Sequence, residues 1–124
     1  MPYRADCYPG SSKITALADG ANCQYFAYEL IRYYGCIIPD FRSSDLWEDT
    51  KHTTKVTTLE PLDLVLMHRN QCAWGAHVGV YVGNNLVVHL SKAIKNPMVE
   101  DLQDLLLKPK YSHFIGAKRC LIKN

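Results

Sequence analysis

Apolar positions recur at helical spacing near the front of the chain. Cys23, Ala27, Leu30 and Tyr34 fall at i, i+4, i+7 and i+11, with Asn22 before them as an N-cap and Gly35 after them as a stop. That spacing predicts a helix over residues 22–34 with Cys23 at the head of its apolar face. Past a loop containing Pro39, residues 44–49 read as a second short helix, with Asp45 and Glu48 as a capping pair. Residues 50–58 are polar and expected to be exposed. The pattern then changes to short runs rich in Val and Leu, which predict strands over 62–67, 76–82 and 86–90 with turn chemistry at Gly83, Asn84 and Asn85. Residues 99–107, between Pro97 and Pro109, read as a short helix, and 113–121 as a closing strand. Helices first and an antiparallel sheet afterwards make an α+β fold, N-terminal helices packed on a small antiparallel sheet.

The predicted hairpin carries a geometric expectation. Alternation along residues 76–82 puts His77, Gly79 and Tyr81 on one face and Val78, Val80 and Val82 toward the core. With a three-residue turn, Val82 pairs with Leu86 and Gly79 with His89. The two histidines then share a face, diagonal to each other at roughly 7 to 8 Å between backbones, with Gly79 leaving room between the rings. A two-residue Asn84-Asn85 turn shifts the register by one and sends them to opposite faces.

At 124 residues the chain is expected to be one domain, residues 1–124, with 48% hydrophobic and 21% charged residues as in ordinary globular proteins. The net charge of +2 names no partner. Residues 92–124 carry seven Lys or Arg against three acids, but without aromatic interleaving or an arginine cluster this reads as a solvated basic face, and no nucleic-acid partner is expected. No run approaches a membrane span and no signal-peptide pattern opens the chain, so the expected location is cytoplasmic, or outside the cell by a route without a cleaved signal. Five cysteines, at 7, 23, 36, 72 and 120, have no repeating spacing and no C-x-x-C pair. Neither a disulfide framework nor a zinc ribbon is suggested, and Cys7, Cys36, Cys72 and Cys120 read as small packing residues.

Cys23, His77 and His89 are the candidate chemistry. Taken singly, a cysteine at a helix start or a histidine on a strand is more often structural. Together they match nucleophile, base and orienter: a helix N-terminus and an imidazole both favour thiolate, and a second polar ring fixes the first. A metal site built from Cys23 or Cys72 with His77 and His89 lacks a fourth ligand and any zinc spacing, so neither metal nor organic cofactor is expected.

The pieces GANCQYFAYELIRYYG, IPDFRSS, LEPLDLVLM, AHVGVYVGNNLVVHLS and FIGAKR, in that order over about residues 20 to 119, resemble the landmarks of the NlpC-type cysteine peptidases of the papain-like superfamily. Those are an Asp-Cys-Ser-Gly helix start, a Leu-Pro-Arg-x-Ser loop, a Pro-Gly-Asp-Leu-Val strand, a His-Val-Gly-Ile-Tyr-x-Gly-Asn hairpin ending in His, and a Gly-x-Arg-Arg strand. The resemblance implies a papain-like core, with Cys23 as nucleophile, His77 as general base and His89 as the orienting third member. The chemistry implied is amide cleavage in peptides or muropeptides through a thioester. The family often uses a Tyr upstream of the nucleophile; Tyr3 is the closer match by wording and Tyr8 by spacing.

The departures concern substrate. Asn22 and Gln24 stand where stem-peptide peptidases of the family have Asp and Ser, so these candidate substrate-binding residues offer neutral hydrogen bonds in place of a partner for a free amine. Leu62 replaces the Gly of the Pro-Gly-Asp strand. Asn22 to Phe26 also resembles the Asn-Cys-Glu-His-Phe motif of the lecithin:retinol acyltransferase-like relatives, which makes a lipid acyltransferase or thioesterase the second reading, although in those relatives the histidines precede the cysteine. A catalytically inactive binding module is the third. With no wall-binding module attached, targeting is expected to come from a partner or from diffusion to small muropeptides.

Overall fold

The computed structural model describes residues 23–71, 73, 76–90 and 96–123. Helix α1 (Cys23–Tyr33) buries Cys23, Gln24, Ala27, Tyr28 and Ile31. The apolar stripe therefore runs through Ile31 and not through Tyr34, which is exposed. The helix closes before Tyr34 can join it: the Gly35 amide donates to Arg32 O at 2.9 Å and the Cys36 amide to Ile31 O at 3.0 Å. Gly35 makes this double closure possible with φ 98. Helix α2 (Ser43–Glu48) starts at Arg42 without a side-chain cap, so the expected Asp45 and Glu48 pairing is not used.

Among the described residues six strands follow: β1 (Thr53–Val56), β2 (Leu64–His68), β3 (His77–Gly83), β4 (Leu86–Leu90), β5 (Pro97–Asp101) and β6 (His113–Cys120). They form one sheet in the order β1-β6-β2-β3-β4-β5, every neighbouring pair antiparallel. Two short pieces interrupt them, helix α3 (Leu102–Leu106) and a 3-10 turn (Pro109–Tyr111). The α+β expectation therefore holds in outline.

Two expectations fail in instructive ways. Residues 53–56, expected as an exposed polar stretch, form edge strand β1, which pairs with β6 and buries Thr53. An edge strand needs few apolar side chains, so its sequence looks like loop. Residues 97–101, expected as the approach and start of a helix, form edge strand β5. The helix begins only at Leu102, because the Asp101 carboxylate accepts from the amides of Gln103 at 2.8 Å and Asp104 at 3.3 Å and so caps it.

The sheet has a buried cluster on each face. Cys23, Ala27, Tyr28, Ile31, Leu46, Leu64, Leu66, Val78 and Val80 join α1 and α2 to one side. Val65, Met67, Val87, Leu102, Leu105, Tyr111 and Ala117 join α3 and the 3-10 turn to the other. Each fully buried Leu, Ile or Val among these stabilises the fold by about 1.5–3 kcal/mol. Strand β2 reads as a continuous apolar run because it is covered on both faces.

The hairpin reaches the expected register by a different route. Its turn is the two-residue Asn84-Asn85, both left-handed at φ 53 and 62, as a type I′ turn requires. A turn of that length alone would separate the histidines. A bulge between Tyr81 and Gly83 adds the missing residue, leaving Gly83 opposite Leu86 and Val80 opposite Val88. Val82, at the bulge, is exposed rather than in the core. The Val80–Val88 register continues to Gly79 opposite His89, where a Cβ on Gly79 would stand 2.5 Å from Val87 Cγ1 and 3.3 Å from His89 Cβ.

One strained residue and two links complete the frame. Leu62, where the resemblance expects Gly, adopts φ 77, a backbone conformation that costs a branched residue of this kind about 1 kcal/mol or more. Next to it, buried Asp63 receives the Arg119 guanidinium in two hydrogen bonds, Nε at 2.8 Å and a terminal nitrogen at 2.9 Å, joining the start of β2 to the end of β6. Cys36 and Cys120 form a disulfide across a sequence separation of 84. They were expected to be separate packing residues. The pairing arises because the chain leaving α1 bridges to the C-terminal end at Lys123, a proximity invisible in the spacing of the cysteines. Cys7 and Cys72 lie outside the described residues, and among those described Cys23 is the free cysteine.

Candidate active site

Cys23 is the first residue of α1, where helix geometry leaves backbone N–H groups without intrahelical partners. Its Sγ accepts from the Val78 amide at 3.4 Å, so the thiol lies against strand β3 one residue from His77. Cys23 is only 2% exposed. Burial pushes the thiol up to about 12, while hydrogen bonds from the amides of Val78, Cys23 and Gln24 pull the other way and lose. The thiolate that a helix terminus and an imidazole are expected to favour is therefore corrected to a buried neutral thiol. Among the described residues no hydrogen bond joins Sγ to an imidazole. What the helix terminus supplies is a set of amide donors poised around the sulfur.

His77 opens β3 and His89 lies on β4, and the bulged register brings their rings together. His77 Nε2 is 2.9 Å from His89 Nδ1, with the ring planes at 88°. Both residues are buried. Tyr111, from the 3-10 turn, stacks on the His77 ring with centroids 4.4 Å apart and planes at 18°, fixing the ring from its other side. Burial, with the charges of His89, Lys110 and Lys108, holds His77 well below its ordinary value of 6.5. Burial also lowers His89, against the raising influence of Glu100. Both rings are neutral at pH 7, and a neutral imidazole is the form that accepts a proton.

Glu100, Lys108 and Tyr111 are members of this arrangement that the sequence reading did not single out. Glu100 Oε2 lies 2.7 Å from His89 Nε2, and Lys108 Nζ donates to both Glu100 oxygens at 3.0 and 3.2 Å. Tyr111 is raised by burial and by proximity to Cys23 and Glu100, which puts it within electrostatic reach of both ends of the array. Lys108, Lys118 and Arg119 commit three of the C-terminal basic charges to contacts within the chain, and Lys118 is itself buried with its ammonium on Trp47 O and Asp49 O.

Of the candidate substrate contacts, Gln24 is the one among the described residues. Gln24 is buried and its Nε2 donates to Ala76 O at 3.3 Å, tying α1 to the lead-in of β3. Ser43 holds the same lead-in, accepting from the Ala76 amide at 3.1 Å and donating to Ala73 O at 2.5 Å. Asn22, Tyr3 and Tyr8 lie outside the described residues. Among the described residues no three His, Cys, Asp or Glu side chains converge as a metal site, and no helix is long and apolar enough to cross a membrane.

A family model described as the NlpC/P60 family matches residues 7–115. No curated protein matches the chain.

Proposed function

The chain belongs to the NlpC/P60 family, whose members are generally cysteine peptidases or amidases acting on peptidoglycan, and we propose that it is itself a cysteine hydrolase cleaving peptide-type amides of peptidoglycan stem peptides. In this reading residues 1–124 form one domain with a papain-like core, Cys23 is the nucleophile, His77 the general base and His89 its orienter. The observation that carries it is the His77–His89 hydrogen bond on the strand pair against which the buried Cys23 thiol lies.

The chemistry follows from the resting charges. His77 Nε2 is engaged by His89, so Nδ1 takes the thiol proton as Sγ forms a bond to the substrate carbonyl carbon and the carbonyl π pair moves onto oxygen. The amides around Cys23 are the natural donors to that oxyanion. Collapse breaks the C–N bond, and the His77 proton leaves with the amine. Water then adds to the thioester carbonyl as His77 takes its proton; collapse breaks the C–S bond, His77 returns the proton to Sγ, and the acid leaves the free thiol behind. With thiol and imidazole both neutral at rest, proton transfer is part of the attack and not a step completed beforehand.

The Cys36–Cys120 disulfide supports a site of action outside the reducing cytosol, the second of the two expected locations. The test is mass spectrometry of products from muropeptides, acylated phospholipids and unrelated peptides, with Cys23→Ala as control. Release of an amine and an acid from a stem-peptide amide, lost in Cys23→Ala, is expected. Cleavage of the lipid alone would favour the acyltransferase reading, and binding without product the inactive module.

A further inference from the structure

We infer that Glu100, held in place by Lys108, is a positioning residue that sets the tautomers of His89 and His77 in series and so leaves the lone pair of His77 on Nδ1. The inference rests on the proposed roles of Cys23 and His77, but its geometry stands by itself. Glu100 reaches His89 across the β4–β5 pairing: Val87 is opposite Glu100 and His89 opposite Met98, so Glu100 and His89 lie diagonally on one face of the sheet. Neither residue needs to stretch, and the oxygen-to-nitrogen separation is 2.7 Å.

Donors and acceptors along these contacts fix where each ring carries its hydrogen. Burial pushes the Glu100 carboxyl up, but hydrogen bonds from Lys108 and His89 outweigh it and hold it below its ordinary value, so it is ionised at neutral pH and can only accept. His89 Nε2 must therefore carry hydrogen. In a neutral imidazole that makes Nδ1 an acceptor, and its partner His77 Nε2 must donate across the 2.9 Å contact. His77, neutral as well, then has its lone pair on Nδ1. Reversing the first bond reverses every later one: without the carboxylate, His89 is free to donate from Nδ1, and His77 would then carry its hydrogen on Nδ1 and could not accept from the thiol.

Charge works in the same direction. When His77 gains a proton, the cation forms in a buried place beside Lys108 and Lys110, with Tyr111 against its face and Cys23 as the remaining titratable neighbour. Glu100 is the anion bound to this array, and Lys108 offsets part of it while fixing both its oxygens. Outer partners that orient metal-ligating histidines are worth about 10- to 100-fold in activity, and a loss of the same order is expected for Glu100.

Two variants and two readouts test this. Glu100→Gln keeps an acceptor for His89 and loses the charge; Glu100→Ala loses both, at a partly exposed position on edge strand β5. By nitrogen-15 NMR of histidine-labelled protein, the wild type is expected to show hydrogen on Nε2 and a bare Nδ1 for both rings. Glu100→Ala is expected to give a mixture of tautomers, with kcat down about 10- to 100-fold and KM little changed. In Glu100→Gln the acid limb of kcat/KM is expected to move to lower pH, because the cationic form of the pair has lost its anion; a merely structural contact would leave that limb where it is. Wild-type tautomers in Glu100→Ala, or an unmoved acid limb in Glu100→Gln, would overturn the inference. The NMR readout needs no substrate, so failure of the hydrolase reading, seen as Cys23→Ala retaining cleavage, remains separate.

Discussion

His77 Nε2 and His89 Nδ1 meet at 2.9 Å only because a bulge at Val82 compensates for a two-residue turn. The pairing is thus built by backbone irregularity, and its roles are unequal: His77 lies on the strand that touches Cys23, whereas His89 faces Glu100. His77→Ala should therefore lower kcat by about 10³-fold, as expected for loss of a general base. His89→Ala should lower it by about 10- to 100-fold, as for a residue acting through another. Steady-state kinetics on the best muropeptide substrate checks the order; equal losses would mean that His77 has no privileged role.

Acid should destabilise the protein through the same pair. The folded state holds both imidazoles below their ordinary value of 6.5, so below that value the unfolded chain binds more protons than the folded one. The stability they contribute is fully present above about pH 6.5 and is lost as pH falls toward the folded values, with Glu100 and Asp49, whose carboxyls are held low, adding to the loss further down. Urea unfolding should show a lower free energy at pH 5 than at pH 7.5. His77→Asn should flatten that dependence, and an unchanged slope in this variant would count against buried neutral histidines.

The disulfide should matter more to stability than its place at the end of the sheet suggests. Closing a loop with a sequence separation of 84 restricts the unfolded chain by an amount worth about 3–5 kcal/mol. Replacing Cys36 and Cys120 together with Ser should lower the unfolding free energy by about that much while leaving the His77–His89 tautomers intact. A double variant as stable as the wild type would show that the bridge is not formed in solution.

Much of this site was legible in the sequence, and the rest was hidden for identifiable reasons. Alternation in β3 and β4 gave each histidine a definite face but left their pairing to the length of the turn, and the bulge at Val82 that restores the register behind an Asn84-Asn85 turn has no local signal in the sequence. Glu100 was missed because residues 99–107 were read as a helix. Asp101 is the available signal: an Asp before a Leu-rich turn caps a helix starting after it, which leaves Pro97 to Asp101 extended and brings Glu100 beside His89. Thr53 to Val56 was missed because an edge strand needs little hydrophobicity. The Cys36–Cys120 bridge and the Asp63–Arg119 pair join chain segments whose proximity depends on the whole fold, which no local spacing reports. The burial of Cys23 is likewise a tertiary property, and it reversed the expected charge of the thiol.

The central claim is that Cys23 Sγ forms a bond to the substrate carbonyl, and trapping that bond tests it most directly. Wild-type protein mixed with a stem-peptide amide, quenched in acid within a turnover and mapped by mass spectrometry, should carry the acyl group on the peptide containing Cys23, with the amine already released. Cys23→Ala should yield neither adduct nor product. An acyl group on another residue, or undiminished product from Cys23→Ala, would contradict the account.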